Sequence, residues 1–347
     1  MITSVEIENL RGIRTGRLDG LAPLTILTGP NACGKSTILD AFLIAASPDP
    51  AEGVGRAVSR HPSVSNGARW LVRGGGQNGL VKLRSAEGVA RQCELRWSDQ
   101  LPAAVRSALT RSGVVPPYSS ISGVLSGFHA ERPAVGPVGF EILFGDENRF
   151  QLEQSASAIY RLFPVIVLVD PGLGRPQKLE ETFTEMARAG GREAVYDLLT
   201  QLVPGFERLE ILAFGGNEFG LVVTSNGRSV PLGLSGDGIQ AFVQLALEIA
   251  AVPGGLVLVE EPEVYQHPRA IRQTARAILA NVRRGVQMVV TTHSLELIDA
   301  LLAEASDEDL ERMALFNLAL ENGELNSGRR AGNDMRFARE TLEKDLR

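Results

Sequence analysis

The chain has only two cysteines in 347 residues, Cys33 and Cys93. They form no CxxC pair, which excludes a disulfide framework and a cysteine-based zinc site. No apolar run approaches the ~20 residues of a membrane helix. The opening MITSVEIENL lacks the basic-then-apolar order of a secretion signal. These absences lead us to expect a cytoplasmic protein with no membrane contact. There is no internal repeat and no heptad run long enough for a coiled coil. A formal net charge of −6 excludes a simple polycation for nucleic acid. What remains is an ordinary globular composition, 44% hydrophobic and 22% charged, sufficient for a sizeable core.

Periodicity divides the chain unevenly. Residues 2–9 alternate as a strand, Arg11-Gly12 turns, and a second extended run follows. Leu24 to Thr28 is a short apolar strand, and Ser36 to Ala46 has the apolar spacing of a helix. Residues 48–160 are rich in Gly, Pro and Ser, with strand-like pieces near 80–85 and 91–97 on either side of a Gly-rich loop. Within this stretch, residues 51–120 hold ten basic and four acidic side chains, a net +6 that leaves −12 for the rest of the chain. From 164 onward the pattern is clearer. It gives a buried strand at 164–170, helices at 178–189 and 191–203, and a hairpin near 207–213 and 219–224. A helix at 237–251, a strand at 256–259, a helix at 268–283, a strand at 287–291 and a helix at 294–304 follow. This β-α-β-α alternation predicts an α/β fold with a parallel core sheet, an N-terminal antiparallel β portion and an inserted α/β region. We expect one domain over 1–347, with the insertion at 48–204 and a charged C-terminal tail at 326–347.

Four motifs carry chemistry. Gly29-Pro30-Asn31-Ala32-Cys33-Gly34-Lys35-Ser36 fits GxxxxGK[ST] between an apolar strand and a helix. Glycines let the backbone wrap a phosphate with inward N–H groups, and the following helix adds its positive end. Lys35 would place its charge on the β- and γ-phosphates, Ser36 would ligate Mg²⁺ and Thr37 would support the α-phosphate. Cys33 fills a variable position of the loop. Next, Leu256-Val257-Leu258-Val259-Glu260-Glu261-Pro262-Glu263 is an apolar strand that ends in acids. Beside a phosphate loop, Glu260 would hold the metal and Glu261 would polarise the attacking water, with Glu263 left to the turn and a dimer contact. Third, Leu234-Ser235-Gly236-Asp237-Gly238 precedes a helix and offers a hydroxyl and backbone N–H groups to a second anion. Finally, His293 follows the strand Met288-Val289-Val290-Thr291-Thr292, where a sensor of the γ-phosphate would sit. His267 is expected to shape the turn before a helix.

In this order the motifs resemble the ABC-type ATPases of the OLD, RecF and SMC group, and in particular the small prokaryotic OLD-like "AAA family" ATPases of the AAA_15 and AAA_21 types. The matching segments are GPNACGKST at 29–37, LSGDGIQ at 234–240, LVLVEEPEVYQHP at 256–268 and VVTTHSLELID at 289–299. The resemblance covers 1–47 and about 205–325. It implies an ABC-type head that binds ATP and Mg²⁺ between two chains in a head-to-tail homodimer and hydrolyses the ATP. Gly29, Asn31, Ala32, Cys33, Gly34, Lys35, Ser36 and Thr37 would contact nucleotide, with Ser235, Gly236 and Gly238 facing the partner's nucleotide. Glu261 would be the catalytic base, His293 the sensor, and Ser36 and Glu260 the metal ligands. LSGDG stands where the family has LSGGQ, no glutamine loop is identifiable, and there is neither a nuclease segment nor a coiled coil. Three functions stay open. The ATPase could control a separately encoded nuclease or toxin, plausibly in antiphage defence. It could be a RecF-like DNA clamp, which the +6 segment suggests, or a switch that does not hydrolyse.

Overall fold

The computed structural model describes residues 1–47, 49–60, 67–74, 78–99, 119–129, 132–144, 150–154, 166–169, 179–188, 190–215, 218–250, 254–264, 266 and 268–347. In chain order the strands are β1 (Ile2–Leu10), β2 (Ile13–Asp19), β3 (Leu24–Thr28), β4 (Gly79–Ser85), β5 (Val89–Ser98), β6 (Ser119–His129), β7 (Arg132–Phe144), β8 (Phe150–Gln154) and β9 (Ile166–Val169). They continue with β10 (Phe206–Gly215), β11 (Glu218–Ser225), β12 (Arg228–Pro231), β13 (Leu256–Glu260), β14 (Gln287–Thr291), β15 (Met313–Glu321) and β16 (Glu324–Ala331). The helices are α1 (Lys35–Ala46), α2 (Pro50–Ser59), α3 (Leu179–Arg188), α4 (Arg192–Leu202), α5 (Asp237–Ala250), α6 (Pro268–Arg283), α7 (Leu295–Glu304), α8 (Asp307–Glu311) and α9 (Gly332–Glu340). Contacts group these into two compact units.

The first unit comprises Met1–Leu21, Gly29–Ile166 and Leu318–Gly328. Its strands run in the order β8-β7-β6-β5-β4-β1-β2-β16. Among the described residues β1–β2, β1–β4, β4–β5, β5–β6, β6–β7 and β7–β8 pair antiparallel, whereas β2 and β16 pair in parallel. The middle region that reads as an irregular insertion therefore contributes long antiparallel strands. On β1, Ile2, Val5, Ile7 and Leu10 are buried, as the period of a strand with one core face requires. Helix α1 is buried along nearly its whole length, so its polar contacts are internal. Asp40 is fully buried and accepts hydrogen bonds from Arg11 Nε and, at 2.8 Å, from Arg60 Nη1. At the other end of α1, Arg91, 1% exposed, donates to the carbonyls of Ala46 (3.3 Å) and Ser47 (2.6 Å). A cation there satisfies carbonyls that no further helical turn can reach and opposes the negative end of the helix dipole.

The second unit comprises Ala22–Thr28, Val167–Asn317 and Arg329–Arg347. Its main sheet has the order β15-β3-β14-β13-β9, with β15, β3, β14 and β13 parallel. β3, β13 and β14 are continuous apolar runs, buried on both faces but for the last residue of β13, as parallel strands covered by helices must be. Helix α6 packs against α7 and α4, and α3 and α4 pack against α5. The order β10-β11-β12 forms a separate three-stranded antiparallel sheet, joined at β11–β12 by the Asn226-Gly227 turn. Among the described residues no helix is long and apolar enough to cross a membrane.

The stretch from 326, expected as a charged tail, holds regular elements. Residues 326–331 belong to β16 and 332–340 to α9. Composition misleads here because the charges pair while the few apolar residues are buried. Met335, Ala338 and Leu346 lie in the core, Arg336 donates to the Ala305 carbonyl at 2.8 Å, and Arg339 grips Asp299 through two 2.7 Å bonds. The chain end reaches β3, where the Thr28 hydroxyl donates to the Leu346 carbonyl at 2.8 Å.

The buried Asp40 makes the helix behind the Gly-rich loop sensitive to one substitution. Asp40→Ala removes the carboxylate shared by Arg11 and Arg60 and is expected to cost about 3–5 kcal/mol. Urea unfolding followed by far-UV circular dichroism measures this. A loss below about 1 kcal/mol would place the pair among exposed ones in its energetics.

Candidate nucleotide site

In the first unit, the loop 29–34 leads into α1 with two glycines in backbone conformations that favour glycine, Gly29 at φ 138 and Gly34 at φ 99. A Cβ on Gly29 would overlap the Leu318 carbonyl oxygen and the Cys33 sulfur. Ala32 is also left-handed, at φ 62. Gly34 is the N-cap of α1 and supplies no side-chain cap, and the first turn holds no acid. The start of this helix therefore offers its positive end to an anion, with no acid in its own first turn to oppose it. Lys35 is nearly buried, and its ammonium donates to the carbonyls of Gly29 (2.9 Å) and Pro30 (3.0 Å). This fold-back holds the charge at the loop itself. Cys33 is buried, with its sulfur 3.7 Å from the Lys35 ammonium. Ser36 and Thr37 are the second and third residues of α1.

In the second unit, three parallel strands end at one level. Glu260 of β13 is paired with Thr291 of β14, and Thr291 with Leu27 of β3. The carboxyl ends of such strands are the usual place for a ligand in an open α/β sheet. Thr28 ends β3, so the chain enters the Gly-rich loop from this edge. Beyond the strand Glu261 turns into the left-handed region at φ 42, uncommon for a residue with a Cβ. Its N–H holds that turn by donating to both the carbonyl (3.1 Å) and the hydroxyl (3.2 Å) of Thr291. The turned side chain meets the second residue after β14, with Glu261 Oε1 3.2 Å from His293 Nε2. Glu263 lies in the same turn and reaches the same neighbour. Its Oε1 accepts from the Thr292 hydroxyl at 2.5 Å and from the His293 N–H at 3.1 Å.

The turn before α5 is arranged differently. Ser235 is nearly buried and its hydroxyl donates to the Leu232 carbonyl at 2.6 Å. Gly236 caps the helix, accepting from the N–H groups of Ile239 (2.9 Å) and Gln240 (3.2 Å). Leu234, 79% exposed, and Gly236 face solvent, while Gly238 is half-buried. His267 lies outside the described residues.

The structure thus brings Glu261 and His293 together, places Glu260 at the strand end beside them, and builds the loop around Lys35. Sequence reasoning missed Thr291 and Glu263 as parts of this edge, although the pairing of EEPE with VVTTH in the sequence carries the signal. Mg²⁺ is a hard cation that retains water and takes phosphate oxygens rather than a full protein cage, and oxygen donors such as a serine hydroxyl or a glutamate carboxylate suit it. Accordingly, the described residues contain no cluster of three His, Cys, Asp or Glu that could hold a metal unaided.

Comparison with known proteins gives consistent results. A family model described as an AAA domain and associated with the AbiEii toxin of type IV toxin–antitoxin systems matches residues 139–299, and a second AAA-domain model matches residues 4–84. An uncharacterized protein of Methanocaldococcus jannaschii, MJECL11, is 34% identical over 113 residues, 32% of this chain and 98% of that protein. Among solved structures, the Smc head domain with an extended coiled coil bound to the C-terminal domain of ScpA, from Pyrococcus furiosus, is similar with a TM-score of 0.52. That match has 13% identity and covers 99% of this chain and 100% of that one. The SMC head domain of Thermotoga maritima gives a TM-score of 0.46 at 15% identity over 95% and 98% of the two chains.

Gly29→Ala tests the loop. The added Cβ meets a carbonyl and must adopt a backbone conformation that is essentially reserved for glycine, at a cost of about 1–3 kcal/mol. We expect a lower thermal midpoint together with weakened binding of a fluorescent ATP analogue. Wild-type values for both would show that the loop does not need this geometry.

Proposed function

We propose that this chain, parts of which match two AAA-domain models, is an ABC-type ATPase that binds ATP with Mg²⁺, hydrolyses it, and uses the cycle to control a separate effector. The single observation that carries hydrolysis is the Glu261–His293 pair at the edge where β3 hands the chain to the Gly-rich loop. A carboxylate held in a left-handed turn beside an imidazole is a costly arrangement, and such strain is characteristic of working sites.

The chain's residues then have separate tasks. N–H groups of the loop and of the first turn of α1 receive the phosphates, and Lys35 exchanges the Gly29 and Pro30 carbonyls for phosphate oxygens. Ser36 and Glu260 would each offer an oxygen to Mg²⁺, which would supply neutralisation of phosphate charge. Glu261 orients the attacking water and accepts its proton, and His293 contacts the γ-phosphate and fixes the Glu261 carboxylate. The segment Leu234-Ser235-Gly236, exposed at Leu234 and Gly236, serves the ATP of a second copy in a head-to-tail dimer. For this the Ser235 hydroxyl must leave the Leu232 carbonyl, a rotation about one bond.

Two facts support an effector as the target. The matched AAA model is associated with a toxin–antitoxin system, and the Smc head of the same fold is described bound to a separate protein, ScpA. That reading favours a nuclease or toxin partner, with antiphage defence as the setting. The RecF-like DNA clamp is the second reading. It rests on the +6 segment at 51–120, much of which is engaged within the fold. Arg60 and Arg91 are buried, Arg56 pairs with Glu52, and Lys82 pairs with Glu6. A switch without hydrolysis fits least, because both Glu261 and His293 are in place.

Lys35→Ala is expected to weaken ATP binding by at least about two orders of magnitude, as loss of a charge-assisted phosphate contact implies, measured by titration with a fluorescent ATP analogue. Unchanged affinity would remove the loop from the site. Glu261→Gln is expected to bind ATP and halt turnover. Single-particle mass measurement with ATP-Mg and a short duplex should then show a stable dimer without DNA. A dimer carrying DNA would favour the clamp, and normal hydrolysis by this variant would place the base elsewhere.

A further inference from the structure

We infer that Glu263 is a positioning residue for hydrolysis, clamping the segment that carries His293 to the turn that carries Glu261. The inference rests on the ATPase reading above. Glu263 sits in a turn closed by Val264 N–H on the Glu261 carbonyl (3.0 Å) and Gln266 N–H on its own carbonyl (3.0 Å). From there a single carboxylate oxygen spans to the neighbouring strand's end and accepts from Thr292 Oγ1 and the His293 N–H. The chain of contacts continues. Thr292 Oγ1 accepts from Ser294 N–H at 2.9 Å, and Ser294 Oγ caps α7 by accepting from Leu297 N–H at 3.2 Å. One oxygen of Glu263 therefore fixes the backbone of His293 and, through Thr292, the start of the helix that follows.

The second oxygen carries independent weight. Glu263 Oε2 is buried and has no hydrogen-bond partner among the described residues. A buried acceptor left unmatched is destabilising and calls for an explanation beyond turn formation. One residue, Pro262, separates Glu263 from Glu261, while its contacts lie on the imidazole side of the Glu261–His293 pair. It thereby couples the two halves of the pair, much as an outer-shell carboxylate orients a ligating histidine. Misplacement by a fraction of an ångström at reacting groups is costly in rate, so a residue that touches neither substrate nor water can still govern turnover.

The test uses the full chain and three proteins: wild type, Glu263→Ala and Glu263→Gln. Glu263→Ala is expected to lower kcat by on the order of tenfold to a hundredfold while the ATP dissociation constant changes by less than about twofold, since the phosphate loop is untouched. Glu263→Gln retains an oxygen at the Oε1 position and is expected to recover most of the rate. The imidazole resonance of His293, assigned by its loss in His293→Gln, should shift in Glu263→Ala and return in Glu263→Gln. An unmoved resonance with unchanged kcat overturns the inference. So does a joint fall of kcat and affinity that glutamine does not rescue, because that would make Glu263 merely structural. If Glu263→Ala does not fold, Thr292→Val removes the hydroxyl donor alone and carries the same expectations, with Thr292→Ser as the rescue. Normal hydrolysis by Glu261→Gln would defeat the ATPase reading while the imidazole resonance still decides the clamp. An inactive Glu261→Gln beside a fully active Glu263→Ala would defeat only the clamp.

Discussion

The parallel register of β3, β14 and β13 is the constraint on which the strand-end edge carrying Glu261 and His293 depends. Backbone hydrogen bonds set Leu27, Thr291 and Glu260 at one level, so residues far apart in sequence finish their strands together. The acid–imidazole pair and the residues that hold it lie one to three residues beyond that level: Glu261, Glu263, Thr292 and His293. A slip of one residue in any of these strands would reverse side-chain direction along it and separate the carboxylate from the imidazole. The buried apolar faces of the same strands resist such a slip. The hydrophobic core thus positions the acid–imidazole pair without contributing an atom to it.

Backbone strain is concentrated where the chemistry is. Gly29 adopts a conformation reserved for glycine, and Glu261 adopts one that its side chain disfavours. The two positions resolve the constraint differently. At Gly29 the chain must pass close to the Leu318 carbonyl, and only a residue without Cβ fits. At Glu261 a side chain is indispensable, so the left-handed turn is held instead by two acceptors on Thr291. Glycine at 261 would relieve the conformation and abolish the carboxylate. That compromise explains why the turn needs a threonine opposite it rather than another valine.

The sequence made the α/β portion legible because its signals are local. Helices α5, α6 and α7 and strands β13 and β14 follow from apolar period and strand-end punctuation, and the Gly-rich loop from a fixed spacing. Strands β4 and β5 match the strand-like pieces near 80–85 and 91–97, but the antiparallel strands β6 to β8 were far less readable. Their pairing is between distant segments, and β6 and β7 are interrupted by glycines and prolines that mimic loops. Gly123 shows why such a glycine belongs in a strand: Phe140, its partner in register, lies over it where a Cβ would stand. The roles of Thr291 and Glu263 were hidden for a related reason, since each depends on which strand lies next to β13. The C-terminal segment was misread because its charges are conspicuous in composition, while the burial of Met335, Ala338 and Leu346 depends on the fold.

Charge in the sequence also differs from charge at the surface. The excess of basic residues between 51 and 120 suggests a polyanion as partner, yet several of those side chains have internal work. Arg91 closes the carbonyl end of α1, and Arg60 joins Arg11 on the buried Asp40 of the same helix. Both contacts stabilise the helix whose other end forms the phosphate loop. A buried guanidinium with carbonyl or carboxylate partners is unavailable to a phosphate backbone without unfolding its surroundings. The local charge asymmetry is therefore explained in part by the demands of a nearly fully buried helix, which needs cations to satisfy its acid and its last carbonyls. Net charge over a window measures nucleic-acid affinity only after such internal partners have been subtracted.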